Sequence, residues 1–133
     1  MRVTLLVAVL LVSVSLVSAQ TPPCTTVHHS GLLILRMRVG VGDETPHQRA
    51  VAVYQELVDA MSWVFASQKP LDPDAVVIKR ACAPYRYAVW CGPIRIVGVT
   101  KADGEANGCC AQQLADRWAK NIRAALLKAT HDC

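Results

Sequence analysis

Residues 99–129 read VTKADGEANGCCAQQLADRWAKNIRAALLKA, and the order of signals in this run sets the architecture. Thr100 and Asp103 form a T-x-x-D pattern. This is a capping box in which the N-cap hydroxyl and the carboxylate at the third helical position each take one of the first orphan N–H groups of a helix. Gly108 suits the left-handed conformation that ends the short turn so begun. After Cys109-Cys110, the residues Leu114, Ala115, Trp118, Ile122, Ala125, Leu126 and Ala129 recur at helical spacing and predict one apolar face. Arg117, Lys120, Arg123 and Lys128 lie off that face, with Asp116 placed to pair with Lys120 four residues on. The run therefore predicts a strand end, a capped turn and a closing helix. Nothing in it specifies a reaction.

Upstream of Val99 the pattern changes from helical spacing to alternation. AVVIKRA, YRYAVW and PIRIVGVT read as three strands separated by Ala83-Pro84 and by Cys91-Gly92-Pro93. Their inward or paired positions are Val76, Ile78, Tyr87, Val89, Ile94, Ile96 and Val99. Links this short favour an antiparallel meander. QKPLDPD breaks the chain before them. Between Pro46 and Ser67 a helix is predicted, with Thr45 as N-cap and Pro46 at the first helical position, where its missing N–H costs nothing. Its apolar stripe comprises Val51, Tyr54, Leu57, Val58, Met61, Val64 and Phe65. Before it, LLILRMRVG alternates Leu33, Leu35, Met37 and Val39 against Ile34, Arg36 and Arg38, which predicts a strand with one charged face.

The amino terminus supplies an address. One positive charge at Arg2, an apolar run from Leu5 to Leu16 and the small residues of Val17-Ser18-Ala19 have the build of a secretory signal peptide over residues 1–19. The apolar run is short for a membrane span, which needs about 20 residues. Removing 19 of 133 residues leaves 114, and losing Arg2 takes the formal charge from +4 to +3. The expected organisation is a signal peptide over 1–19, an extended polar leader over 20–30 and one α+β domain over 31–133. The expected location is extracytoplasmic, secreted or periplasmic, with no stable membrane span once the signal is gone. A modest charge without a basic block or interleaved aromatics excludes a nucleic-acid reader.

Six cysteines, Cys24, Cys82, Cys91, Cys109, Cys110 and Cys133, remain on the exported chain, and an even count there predicts disulfides. Cys82 and Cys91 stand at opposite ends of one predicted strand, nine steps of about 3.3 Å apart, beyond bonding reach. A continuous helix from Cys110 to Cys133 would separate those two by roughly 30 Å. Adjacent cysteines rarely bond to one another, so Cys109 and Cys110 are expected to take two of Cys24, Cys82 and Cys91, leaving the third for Cys133. Cys24 with His28 and His29 offers a weaker metal-handling alternative, but the spacing matches no standard zinc pattern. No cofactor is expected.

A catalytic reading finds little. Asp72 and Asp74 flank Pro73 and read as a turn rather than as an acid–base pair. No G-x-S-x-G, H-E-x-x-H or glycine-rich phosphate loop is present. A small secreted hydrolase is thus an alternative only. The positive content lies in the strands: Arg36, Arg38, Lys79, Arg86 and Arg95, with Arg80 nearby, recur along the predicted sheet. Gathered on one side they would attract an anionic surface.

The endings VTKADGEANG and LADRWAKNIRAAL, with RVG and T-P-x-x-R-A upstream, resemble a small exported domain. That domain precedes the pore region of small-conductance mechanosensitive channel-like proteins and also occurs alone. The matching positions are Thr45, Pro46, Arg49, Ala50, Val99, Thr100, Asp103, Gly108, Leu114, Ala115, Trp118 and Arg123, and the likeness runs from about Leu32 to Leu127. It implies the standalone form of an accessory or sensory ectodomain and carries over no activity; an envelope protein or an anionic surface is the expected partner. Six cysteines exceed what that pattern calls for. The expected fold is a four-stranded, mostly antiparallel sheet with two long helices on one face, in the order β-α-β-β-β-short α-α. The expected role is a non-catalytic, disulfide-stabilised accessory, sensory or binding module.

Overall fold

The computed structural model describes residues 24–131. The predicted signal peptide and Cys133 lie outside the described residues. The chain forms β1 (Thr25–His29), β2 (Leu32–Met37), α1 (Pro46–Ala66), a 3-10 turn (Pro73–Ala75), β3 (Val76–Arg80), β4 (Tyr85–Cys91), β5 (Ile94–Thr100), α2 (Lys101–Ala106) and α3 (Ala111–His131). The class is α+β, with two antiparallel sheets: β1-β2, and the meander β3-β4-β5.

This differs from the single four-stranded sheet expected from sequence. Part of the run read as an extended leader is a strand, because Ser30 and Gly31 both take positive φ (53° and 74°). Two such residues make the primed turn whose twist matches a hairpin, so β1 folds back on β2. Within β2 the simple alternation also fails. Val27 pairs with Leu35 and His28 with Leu33, leaving Ile34 as the extra residue of a bulge. The bulge turns both Ile34 and Leu35 into the core and leaves Leu33 exposed. Asn121 of α3 donates its amide N–H to the Ile34 carbonyl at 2.9 Å, supplying a partner at the bulge.

α1 starts as its sequence predicts. Thr45 accepts from the Gln48 N–H at 3.1 Å, and the Gln48 side chain accepts from the Thr45 N–H at 2.9 Å. The helix carries two apolar stripes one residue out of step. Ala50, Val53, Leu57, Ala60 and Val64 are buried, whereas Val51, Tyr54, Val58 and Phe65 are exposed. The single stripe read from sequence merged these two, and only one meets the core. α1 packs on the β1-β2 hairpin and on β5, while α3 spans β2, β3, β4 and β5. The helices thereby join the two sheets around one core, instead of sharing one face of a single sheet. At its centre Leu114, Ile122 and Leu126 are fully buried with Ile34, Met37 and Val89. Burying each such large aliphatic side chain contributes about 1.5–3 kcal/mol.

α2 and α3 meet through a tight corner. A Cβ on Gly104 would stand 2.8 Å from backbone atoms of Cys109, Cys110 and Ala111, so only glycine lets the corner close. Gly108, at φ 73°, turns the chain there as its place in the sequence suggests. Cys110 then precedes α3, and its sulfur faces the Gln113 N–H at 3.5 Å while its own N–H donates to the Gln113 side chain at 3.2 Å. Arg123 donates Nε to the Pro73 carbonyl at 2.9 Å and Nη2 to the Val76 carbonyl at 3.0 Å, tying α3 to the start of β3. Asp116 and Lys120 form no ion pair; the i,i+4 pair present is Lys101–Glu105, at 3.8 Å and highly exposed.

Candidate functional site

The most buried polar group in the fold is the pair Arg49–Asp103. Arg49 is 4% exposed and Asp103 1%. The guanidinium meets the carboxylate edge on, Nη1 to Oδ1 at 2.8 Å and Nη2 to Oδ2 at 2.9 Å. Nη1 also donates to the Val39 carbonyl at 2.7 Å, and Nη2 to the Gly98 carbonyl at 3.1 Å. Asp103 Oδ2 accepts the Thr100 N–H at 2.9 Å, while Thr100 Oγ1 accepts the Asp103 N–H at 3.0 Å. The capping box seen in the sequence is therefore one half of a larger network. Its carboxylate serves α2 and, through Arg49, fastens α1 to β5 and to the link after β2. With both carboxylate oxygens and both Nη groups engaged in bonds that join separate elements, the pair acts as a clamp. The cavity beside it, bounded by Glu44, Arg49, Tyr85 and Arg95, is about 150 Å³. Small-molecule pockets run to about 300 Å³ or more.

The five basic residues singled out from sequence do not form one face. Arg36 and Arg38 line a cleft of about 330 Å³ between β2 and the α2–α3 corner, together with Arg117. Arg86 lies elsewhere, in a groove of about 850 Å³ with Arg80, Lys101, Glu105, Cys109 and Cys110. Lys79 and Arg95 are engaged with aromatic rings. Lys79 Nζ sits 4.8 Å from the Trp90 centroid, and the Arg95 guanidinium carbon 4.7 Å from that of Tyr85. A cation over such a ring is attracted by its quadrupole, so these two are held against separate rings rather than gathered into one basic face. Sequence periodicity missed Arg117 and Asn107, because only the α2–α3 corner brings them to β2. Arg117 was legible as a residue off the apolar face, and nothing local says what lies opposite it.

Among the described residues no disulfide is present: Cys24, Cys82 and Cys110 are exposed, Cys109 is half-buried and Cys91 is buried. Burial pushes the Cys91 thiol pKa up. No group of three or more His, Cys, Asp or Glu among the described residues is arranged to hold a metal ion. His29 Nδ1 instead lies 2.9 Å from Ser30 Oγ, and its ring tilts toward Tyr54. Asp72 caps the 3-10 turn by accepting the Asp74 N–H at 2.9 Å, the turn role read for it.

These features define an α+β domain whose buried polar residues hold its elements together and which carries two surface recesses with mainly basic charged linings. The chain belongs to the family described as Domain of unknown function (DUF8459), whose model matches residues 26–129. No curated protein and no solved structure matches it significantly. The matched span runs from β1 almost to the end of α3, so the β1-β2 hairpin is part of the family's domain.

Proposed function

We propose that the protein is an exported, non-catalytic binding module that works outside the cytoplasm and docks on an anionic surface of the cell envelope. The observation that carries this reading is the groove between β4 and the start of α3, where Arg80, Arg86 and Lys101 face a single acid, Glu105. Glu105 is itself half-engaged with Lys101 in an exposed pair that salt would weaken. The groove thus keeps net positive charge in a concave setting, which concentrates the field toward an incoming anion. The resemblance to channel-associated ectodomains supports the same role. No helix among the described residues is long and apolar enough to cross a membrane.

Sedimentation of the protein with vesicles tests the proposal. Phosphatidylglycerol vesicles should pull it down and pure phosphatidylcholine vesicles should not, and added salt should release it as the Debye length shortens. Each basic residue near such a surface contributes about 1 kcal/mol, so Arg80→Gln with Arg86→Gln should weaken binding roughly thirtyfold. Equal binding to neutral vesicles, or indifference to the double substitution, would refute the groove's role.

Disulfide stabilisation belongs to the same proposal. Ala81 and the Cys109-Cys110 pair line one groove, with exposed Cys82 adjoining Ala81 in sequence, so bonds across that end of the domain are the natural outcome of an oxidising compartment. Intact-mass measurement of the exported protein should give a value six hydrogens below the reduced chain, with no thiol alkylated after denaturation. A full set of alkylatable thiols would remove disulfides from the reading.

A further inference from the structure

We infer that the cleft between β2 and the α2–α3 corner is a binding site for a phosphate group, either inorganic phosphate or the terminal phosphate of a monoester. The inference is independent of the groove that holds Arg80, Arg86 and Lys101 and needs none of its residues.

Three guanidinium groups border this cleft, Arg36 and Arg38 from one face of β2 and Arg117 from α3, and no acidic residue lines it. None of the three makes an ion pair among the described residues, where the pairs are Arg49–Asp103 and Lys101–Glu105. Arg38 adds the more telling observation. Its Nε is buried and has no hydrogen-bond partner, the one side-chain polar atom so placed among the described residues. A buried N–H on a permanently charged group is costly to leave unmet, and folded proteins leave very few. It is closed to solvent as the side chain stands, and a shift of that side chain would present it to an acceptor bound in the cleft.

The chemistry of the walls selects the acceptor. Guanidinium presents its N–H groups as a planar fork that matches carboxylate and phosphate oxygens in pairs. Two oxygens of a carboxylate can answer one or two such forks. Four oxygens of a phosphate can answer three arginines and still reach Asn107, whose amide gives one N–H to the Asp103 carbonyl at 2.8 Å and has a second N–H to offer. The buried residues Trp118, Ile34 and Leu35 supply the apolar part of the lining. At about 330 Å³ the cleft is at the small end for ligand sites, suited to one phosphate with a short appendage. The same fold detail builds it: the bulge at Ile34 is fastened by Asn121, which also lines the cleft.

Calorimetric titration of the full chain with inorganic phosphate and with glycerol phosphate, at constant ionic strength, tests the assignment. Saturable binding of inorganic phosphate identifies the free ion as sufficient, and binding of glycerol phosphate alone identifies an esterified phosphate; both support the site. Arg117→Gln, on an exposed stretch of α3 where the fold does not depend on it, should weaken binding roughly tenfold or more, the loss expected for a charge-assisted contact. Arg38→Gln should do the same, with circular dichroism confirming that the variant is folded. The Arg80→Gln, Arg86→Gln protein should bind phosphate as the parent does, even if it no longer binds vesicles. Failure of both titrants to bind, or affinity unchanged by Arg117→Gln, would overturn the inference and leave the vesicle reading untouched.

Discussion

Replacing Asp103 by alanine lowers the unfolding free energy by about 3–5 kcal/mol, read from urea denaturation with an unchanged m-value. The loss is this large because it strands Arg49. That guanidinium is 4% exposed and would keep only the Val39 and Gly98 carbonyls as partners. It also removes the carboxylate that accepts the Thr100 N–H at the start of α2. Arg49→Ala should cost a similar amount, now by leaving Asp103 buried and half-met. The double substitution Arg49→Met, Asp103→Leu should cost clearly less than the two single losses combined, since no uncompensated charge remains. Additive losses would mean that the two side chains do not act as a pair. Asp103→Asn should fall between parent and alanine, because the amide oxygen can still cap α2 but carries no charge for Arg49.

The second large effect separates two neighbours on α1. Leu57→Ala should cost about 2–5 kcal/mol, the range for truncating a fully buried leucine. Val58→Ala, one residue later, should change stability by about 0.5 kcal/mol or less, as exposed helix positions do. Leu57 is 0% exposed and Val58 41%. Thermal unfolding of both variants, with the parent as reference, measures the contrast. Equal and large losses would show that the outer stripe of Val51, Tyr54, Val58 and Phe65 is covered in solution. Equal and small losses would contradict the packing of α1 described above.

How much of this could be read in advance depends on the range of the interactions. Thr45 with Pro46, and Thr100 with Asp103, signal helix starts because a cap acts within three residues, and both caps are in place. The meander β3-β4-β5 was legible for the same reason, its links being too short for any other pairing. The β1-β2 hairpin was not. Its turn residues, Ser30 and Gly31, are an unremarkable pair until both take positive φ, and the polar strand before them carries no apolar alternation. The basic residues show the limit more sharply. Alternation placed Arg36 and Arg38 together, since residues two apart on a strand share a face. It could not place Arg117 opposite them or set Lys79 and Arg95 over aromatic rings, because those neighbours are far away in sequence or on another strand.

The sequence by itself determined the local grammar of this protein: where α1, α2 and α3 begin, which residues form the meander, and that α3 has one apolar face. It also held the motif positions Arg49 and Asp103 without disclosing why they matter. Tertiary structure alone decided that these two form the central ion pair, that the strands divide into two sheets, and that only the inner stripe of α1 is buried. It alone brought Arg36, Arg38 and Arg117 to one cleft. The reason is physical: caps and turns are set by interactions within a few residues, whereas burial and charge pairing depend on which surfaces the folded chain brings together.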